Sequence, residues 1–131
     1  ATIDWLQKKI KVEPAIAAIR KRGSPVLVVP YSTMLVPAWV ADVALKQGLA
    51  LASTSPAYIY EGGLMAYTND WEAVFDRAAN FVDRVLKGAR PADLPVELPT
   101  KFKLIVNART ASALGIAIPT SIMVRADHVI Q

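Results

Sequence analysis

Two apolar runs on either side of a helix pattern constrain the fold more than any other feature of this sequence. Residues 25–30 read PVLVVP, a continuous apolar run that is typical of a strand buried on both faces of a sheet. Pro37 favours the start of a helix that continues through Gln47, with Gly48 as its stop, and residues 49–53 form a second apolar run. Strands joined by a crossover helix lie parallel, with a right-handed connection. The sequence therefore predicts an α/β fold, with a mainly parallel sheet and helices on both faces.

A long amphipathic helix occupies the middle of the chain. Its apolar positions recur every three or four residues on one broad face: Trp71, Val74, Phe75, Ala78, Val82 and Val85. A short strand at residues 64–67 precedes it, and Asn69 is expected to cap its first turn with Glu72 in a capping-box-like pair. Asp83 and Lys87 can pair one turn apart on the solvated side. Gly88 suits the left-handed residue that ends such a helix.

Three prolines separate this helix from the last long strand. Pro91, Pro95 and Pro99 cannot continue a helix or donate to a central ladder, so they predict a connector held extended along a surface. Residues 102–107 then form an apolar strand, and Asn107 is expected to cap a short helix that stops at Gly115. Residues 121–126 predict a further helix, and residues 128–130 a final extended segment.

Length and composition limit the function classes that this chain can serve. With 131 residues, 53% of them hydrophobic and 20% charged, it is expected to fold as one α/β domain, in which residues 1–23 form a helical lead-in. The lack of cysteine excludes disulfide, thiolate and Cys–zinc chemistry. No apolar run reaches the length of a membrane span. No signal peptide is present, so a secretory address would lie upstream or would already have been removed.

Basic residues near the N-terminus raise the question of nucleic-acid binding. The net charge is +4, and six of the basic side chains gather early in the chain: Lys8, Lys9, Lys11, Arg20, Lys21 and Arg22. No aromatic residues interleave with these charges, as they commonly do on nucleic-acid-binding surfaces. We therefore interpret the cluster as a solvated helix surface, and no nucleic-acid partner is expected.

The second half of the chain has a family resemblance. It reads EGGLMAYTNDWEAVFDRAANFVDRVLKG at residues 61–88 and ARPADLPVELPTKFKLIVNARTASALGIAIPTSIMVRADHVI at residues 89–130. These strings resemble the C-terminal end of ABC transporter substrate-binding proteins, in the family that includes tryptophan and tyrosine receptors. The resemblance starts near Ser24 and continues to Gln131. The family commonly has GGLMSYG where this chain has GGLMAYT, so Ala66 stands for a serine and Thr68 for a glycine. The missing hydroxyl puts a ligand contact at position 66 in doubt.

The resemblance implies a fold and a role. The chain would be the C-terminal portion of a two-lobed solute receptor, with a Rossmann-like lobe of the periplasmic-binding-protein type. It would bind an amino acid or a similar small carboxylated solute reversibly between the lobes, by closure about a hinge. Its partners would be that solute and the permease subunits of an ABC transporter, and its location would be periplasmic or otherwise extracytoplasmic.

Three loops are candidates for ligand binding, since open parallel sheets bind ligands in loops at the strand ends. The first is residues 30–33, whose hydroxyls and following helix could hold a carboxylate or could simply cap local backbone. Near the second, residues 53–55, Tyr58 could stack on a ligand ring or pack half-buried. The third, residues 61–67, contains two glycines that allow close backbone approach and a hinge. The candidate ligand-binding residues are Tyr31, Ser32, Thr33, Ser53, Tyr58, Glu61, Gly63 and Tyr67.

Catalytic, cofactor and metal sites are not predicted. His128 is the only histidine, no G-x-S-x-G motif occurs, and the paired glycines precede a strand whereas phosphate-binding glycines follow one. The chain is therefore not expected to be an enzyme or to carry a cofactor. Two alternatives remain open. One is a truncated lobe that forms a homodimer through an exposed apolar face and binds no solute, and the other is a small Rossmann-like or flavodoxin-like enzyme.

Overall fold

The structure, a computed structural model, describes residues 12–31 and 36–131. Helix α1 (Val12–Lys21) is followed by strand β1 (Val26–Val29), helix α2 (Pro37–Lys46) and strand β2 (Ala50–Ser53). A one-turn helix α3 (Ala57–Tyr60) leads to strand β3 (Met65–Asn69) and the long helix α4 (Trp71–Leu86). After a 3-10 turn (Pro91–Asp93) come strand β4 (Phe102–Asn107), helices α5 (Ala108–Ala113) and α6 (Thr120–Arg125), and strand β5 (His128–Ile130). Of the helical lead-in expected over residues 1–23, α1 is described, and residues 1–11 lie outside the described residues.

The five strands form one sheet in the sequential order β1-β2-β3-β4-β5. The pairs β1–β2, β2–β3 and β4–β5 are parallel, whereas β3 and β4 are antiparallel, with Asn69 opposite Phe102. The predicted α/β class with a mainly parallel sheet is confirmed. Because only β4 and β5 run the other way, the carboxyl ends of β1, β2 and β3 lie at the edge where β4 begins.

The hydrophobic core lies on one face of this sheet, against α1, α2 and α3. Helix α2 begins at Pro37, which is compatible with the first turn, and it buries two valines and two alanines. The core side chains of the sheet alternate with outward ones, as the pleat requires. The core consists of Val12, Ile16, Val29, Val40, Ala41, Val43, Ala44, Leu49, Leu51, Tyr58, Ile59, Ala66 and Ile105.

The opposite face of the sheet is covered at one end only. Val26 and Val28 of β1 remain 43% and 67% exposed on this face, whereas Val29 is buried in the core. The expectation that residues 25–30 are buried on both faces is therefore wrong, because no element of the described residues packs over the outer side of β1. Over β3 and β4, residues of the segment 116–122 line a small apolar cavity together with Met65 and Val106.

Helix α4 and the connector after it leave the sheet together, and we call residues 70–101 the arm. The predicted helix is confirmed, as is the pair of Asp83 and Lys87, whose charged atoms lie 2.8 Å apart. No residue of α4 is buried, however, and Leu86 is 81% exposed. The connector is held against the helix by Glu97, whose carboxylate accepts two hydrogen bonds from the Arg77 guanidinium.

The predicted helix ends at Gly48, Gly88 and Gly115 and the cap at Asn107 are confirmed, and the cap at Asn69 is corrected. The Asn107 side chain accepts a hydrogen bond from the Thr110 N–H at 3.0 Å, and Gly88 has the expected positive φ of 98°. At α4 the cap is Asp70, which accepts from the Ala73 N–H at 3.4 Å. Asn69 is instead the last residue of β3, because pairing with β4 extends that strand beyond residue 67 and delays the helix start.

Candidate functional site

A cleft of about 300 Å³ opens at the carboxyl ends of the three parallel strands β1, β2 and β3. Each strand contributes a residue at or just beyond its end, and β4 contributes its first residue. This is the edge at which open α/β sheets place their ligands. The lining consists of Tyr31, Thr54, Tyr67, Thr68, Asn69, Trp71 and Phe102.

Four aromatic rings dominate the cleft and are arranged in two pairs. Tyr67 stacks on Phe102, with ring centroids 5.2 Å apart and planes inclined by 14°. The pair arises from the antiparallel register, because the two residues are diagonal neighbours on the outer face of β3 and β4. Tyr31 and Trp71 form the second pair, 5.8 Å apart and tilted by 40°. All four rings are more than one-third exposed, which leaves ring surface free for a flat or apolar ligand group.

Polar groups at the base of the cleft are few. The Thr54 hydroxyl accepts a hydrogen bond from the Tyr31 N–H at 2.8 Å and so fixes the loop after β1 against the loop after β2. Thr68 is only 5% exposed, and its hydroxyl has no hydrogen-bond partner among the described residues. No charged side chain is among the described residues that line this cleft. Ring surface and neutral polar groups therefore dominate what this wall offers a ligand.

A charged cluster lies beside the cleft, where the arm joins the sheet. The Lys103 ammonium is 3.1 Å from the Asp70 carboxylate and 3.3 Å from that of Glu72. The hydrogen bond from Lys103 holds the pKa of Asp70 below its usual range, and the two carboxylates raise the pKa of Lys103. The shifts of Asp70 and Lys103 therefore both favour the charged forms that make up this ion pair.

Of the six predicted site residues that the structure describes, two lie together in the cleft. Tyr31 and Tyr67 both line the cleft, one from the loop after β1 and the other from β3. Ser32 and Thr33 lie outside the described residues. Their predicted contact with a carboxylate stays a prediction.

Ser53 and Tyr58 lie close in sequence to the cleft but have other contacts in the structure. The Ser53 hydroxyl donates to the Val29 carbonyl at 2.7 Å and accepts from the Ser55 N–H at 3.0 Å, so it joins β1 to β2 and closes a local turn. Tyr58 is 2% exposed and belongs to the core, because α3 turns its ring under the sheet. This favours the packing interpretation of Tyr58 over stacking on a ligand ring.

Glu61 and Gly63 lie near the opposite edge of the sheet from the cleft. Glu61 lines a separate cavity of about 480 Å³ with Asn107 and Arg109. Gly63 is buried, and its N–H donates to the Tyr58 carbonyl at 2.7 Å. Ala66 is fully buried in the core, so the serine-to-alanine difference at this position does not alter the wall of the cleft.

Five cleft residues were not among those predicted from the sequence: Thr54, Thr68, Asn69, Trp71 and Phe102. Phe102 is separated from Tyr67 by the entire arm, and only the antiparallel pairing of β3 with β4 brings the two rings together. The sequence at the end of β3 does contain a signal for the cleft. Tyr67 and Asn69 lie two residues apart, on the same face of β3, and Trp71 follows two residues later. Aromatic and polar side chains are therefore concentrated at the end of that strand.

Three further observations limit what else the described residues can do. An apolar groove of about 220 Å³ runs along the arm between α4 and the connector, starting at Asp70 and Lys101, and it shares no lining residue with the cleft. In residues 12–31 and 36–131, no group of three His, Asp or Glu side chains is placed to hold a metal ion. Nor does any helix in those ranges have the length and apolar character needed to cross a bilayer.

Solved structures show the same fold. One is a conserved domain protein from Vibrio cholerae O1 biovar El Tor, with a TM-score of 0.80 and 22% identity, over 90% of this chain and 40% of that chain. Another is an ABC domain in complex with L-Trp from Streptococcus pneumonia, with a TM-score of 0.80 and 24% identity, over 92% of this chain and 41% of that one. A ligand-free, open substrate-binding protein with adhesive properties from Clostridium difficile has a TM-score of 0.70 and 21% identity, over 92% and 41%.

The chain thus spans about 40% of the length of the structures that it resembles. Among curated protein sequences, no match to this chain is found. The family model described as ABC transporter substrate binding protein matches residues 7–130, which is most of the sequence. This chain belongs to the family of ABC transporter substrate-binding proteins.

Proposed function

We propose that this chain forms one wall of a solute-binding site in an ABC transporter receptor. The observation that supports this most directly is the cleft at the strand ends, where Tyr31, Tyr67, Trp71 and Phe102 present exposed ring surface. Such a wall suits a small solute with an aromatic or apolar part, because rings add contact energy beyond the area that they bury. Family membership supports binding of a solute without chemical conversion.

The proposed solute is an amino acid, aromatic ones included, or a similar small carboxylated molecule. The similar structure from Streptococcus pneumonia was solved with L-Trp, which supports the aromatic part of this proposal. In the described cleft the rings and neutral polar groups would hold the solute's apolar part, and Ser32 and Thr33 are proposed to contact its carboxylate. The proposed partners are permease subunits of an ABC transporter, and the proposed location is periplasmic or otherwise extracytoplasmic.

Two tyrosines of similar exposure allow a test of whether the cleft binds the solute. Tyr67 in the cleft and Tyr60 near the opposite edge are similarly exposed, at 58% and 61%, so the same truncation can be compared at both positions. We expect Tyr67→Ala to weaken binding of L-tryptophan by about two- to tenfold, as measured by isothermal titration calorimetry, because one stacking surface is lost. Tyr60→Ala should leave the affinity unchanged. An equal loss in both variants would contradict the assignment of the solute to this cleft.

A native mass spectrum of the purified chain tests the solute class without a chosen ligand. A small additional mass that matches an amino acid and is lost on gentle activation would support the proposed function. A bare chain that also fails to bind L-tryptophan and L-tyrosine in the titration would argue against it.

One observation favours a second candidate, in which the chain is an assembly module that forms a homodimer and binds no solute. Helix α4 has no buried residue, and its apolar side chains include Phe75 at 68% and Val82 at 58% exposure. Exposed apolar patches of this kind commonly mark interaction surfaces. Sedimentation velocity separates the two candidates: a stable dimer whose dissociation follows Phe75→Glu would support assembly, whereas a monomer at all concentrations would exclude it.

A further inference from the structure

The orientation of the arm relative to the sheet depends on few contacts. The chain enters the arm between Asn69 and Asp70 and leaves it between Lys101 and Phe102. These two crossings are adjacent, because the Asp70 N–H donates to the Lys101 carbonyl at 2.9 Å. Since no residue of α4 is buried, packing against the core does not fix the angle of the helix. A single side chain at the crossing can therefore have a large influence on that angle.

Lys103 is placed to have this influence. It lies on β4, one residue beyond the crossing, and contacts two carboxylates of the arm, Asp70 at 3.1 Å and Glu72 at 3.3 Å. The Asp70 side chain is 19% exposed and that of Glu72 is 89% exposed, so water screens the first pair much less than the second. Of the two ion pairs between sheet and arm, Lys103–Asp70 is therefore the stronger, and the tilted rings of Tyr31 and Trp71 add a contact without charge.

The same crossing forms part of the solute cleft. Trp71 lies between the two carboxylates in sequence and belongs to the arm, whereas Tyr67 and Phe102 belong to the sheet. A rotation of the arm about the crossing would change the separation between Trp71 and the stacked pair of Tyr67 and Phe102. The width available to a solute thus depends on the angle of the arm.

We propose that Lys103 is a positioning residue of the solute cleft, whose ion pairs with Asp70 and Glu72 fix the arm against the sheet and so set the cleft width. The part of this inference that concerns solute binding in the cleft rests on the proposed function. The geometric part of the inference, that Lys103 restrains the arm, can be tested without any solute.

Electron–electron double resonance between two spin labels measures the restraint. The chain has no cysteine, so Ala79→Cys on α4 and Ser112→Cys on α5 provide two unique labelling positions, both exposed. In this background we expect Lys103→Met to give a broader distance distribution with a shifted mean. Lys103→Arg should restore the narrow distribution, because the guanidinium retains the positive charge and can reach both carboxylates.

Lys87→Met is the matched control. It removes the same charge and breaks the Lys87–Asp83 pair, which lies within the arm and does not connect it to the sheet. The control should leave the distribution narrow. An unchanged distribution in Lys103→Met, or equal broadening in Lys87→Met, would overturn the proposal.

A second variant keeps the test valid if Lys103→Met fails to fold. Asp70→Asn removes the charge of the less exposed partner but keeps a side-chain oxygen that can accept from the Ala73 N–H, and we expect a broadening in the same direction. No broadening in this variant, when Lys103→Met is unfolded, would also overturn the proposal. A chain that shows the broadening but binds no L-tryptophan would retain the restraint and lose the proposed function, so the two failures are distinguishable.

Discussion

Gly63 and Asn107 show how single residues fix the junction beneath α3. A Cβ atom at Gly63 would lie 2.8 Å from the Tyr58 carbonyl oxygen and 2.9 Å from side-chain atoms of Ile59 and Leu51. Glycine is therefore required here by core packing, and no ligand is needed to explain it. Asn107 acts from the other side, because its side-chain amide donates to the Ile59 carbonyl at 3.1 Å while its oxygen caps α5.

Two asparagines allow a residue-scale prediction. Asn107→Ala removes a helix cap and one of the two hydrogen bonds to the buried Ile59 carbonyl, which keeps only the bond from the Gly62 N–H, so we expect the free energy of unfolding to fall by about 1–3 kcal/mol. Asn80→Ala removes an exposed hydrogen bond to the Asp76 carbonyl within α4 and should change it by less than about 0.5 kcal/mol. Urea denaturation of the two variants gives both values. Similar values for the two variants would contradict the role assigned to Asn107.

At this scale, sequence alone predicts what depends on neighbouring residues in the chain. The cap at Asn107 and the left-handed Gly88 follow from bonds that span a few residues, and both are confirmed. The cap of α4 was misplaced by one residue, because Asn69 is held in β3 by its pairing with Phe102, which no local pattern reports. Phe102 was missed as a cleft residue for the same reason.

Helix α4 shows at the element scale why amphipathic periodicity does not reveal burial. The spacing of its apolar residues correctly predicts a helix, yet its apolar side is exposed to solvent in the described structure. The spacing of apolar residues shows that one face of a helix is suited to packing against another apolar surface. It does not show which surface that is or where in the sequence it lies. The same holds for β1, because its apolar run correctly predicts a strand but overstates the burial of that strand.

Two leucines test the exposure of α4. Leu49 is 1% exposed in the core, whereas Leu86 near the end of α4 is 81% exposed. We expect Leu49→Ala to lower the free energy of unfolding by about 2–5 kcal/mol through lost burial and a residual cavity. Leu86→Ala should cost less than about 0.5 kcal/mol. A large loss at Leu86, measured by thermal and urea denaturation, would mean that another surface covers α4 in solution.

On the scale of the whole molecule, the arm is an insertion between two paired strands. Strands β3 and β4 pair over five residues, and the hydrogen bond from the Asp70 N–H to the Lys101 carbonyl lies just beyond the last pair. The ends of the arm are thus as close as the ends of a hairpin turn. The sheet, the core and the other helices form a body whose core does not include any residue of the arm. The cleft does depend on the arm, because Trp71 belongs to it.

Removal of the arm tests this division. Replacing residues 70–101 by an Asn-Gly turn should leave a body that unfolds cooperatively, because two-residue turns of this type match the twist of antiparallel strands. Circular dichroism during heating measures the transition, with the intact chain as the control. Binding of L-tryptophan should be lost, since Trp71 is removed. A body without a cooperative transition would show that the arm contributes to the core.

The order of the strands has a consequence for how the chain is made. Each strand pairs with its neighbour in sequence, so none has to enter between two strands that are already joined. As the polypeptide leaves the ribosome from its N-terminal end, each new strand can add to the free edge of the sheet formed before it. The arm delays one addition, because residues 70–101 must emerge before β4 can reach β3. For the described residues, the order of synthesis is therefore also an order in which the sheet can assemble.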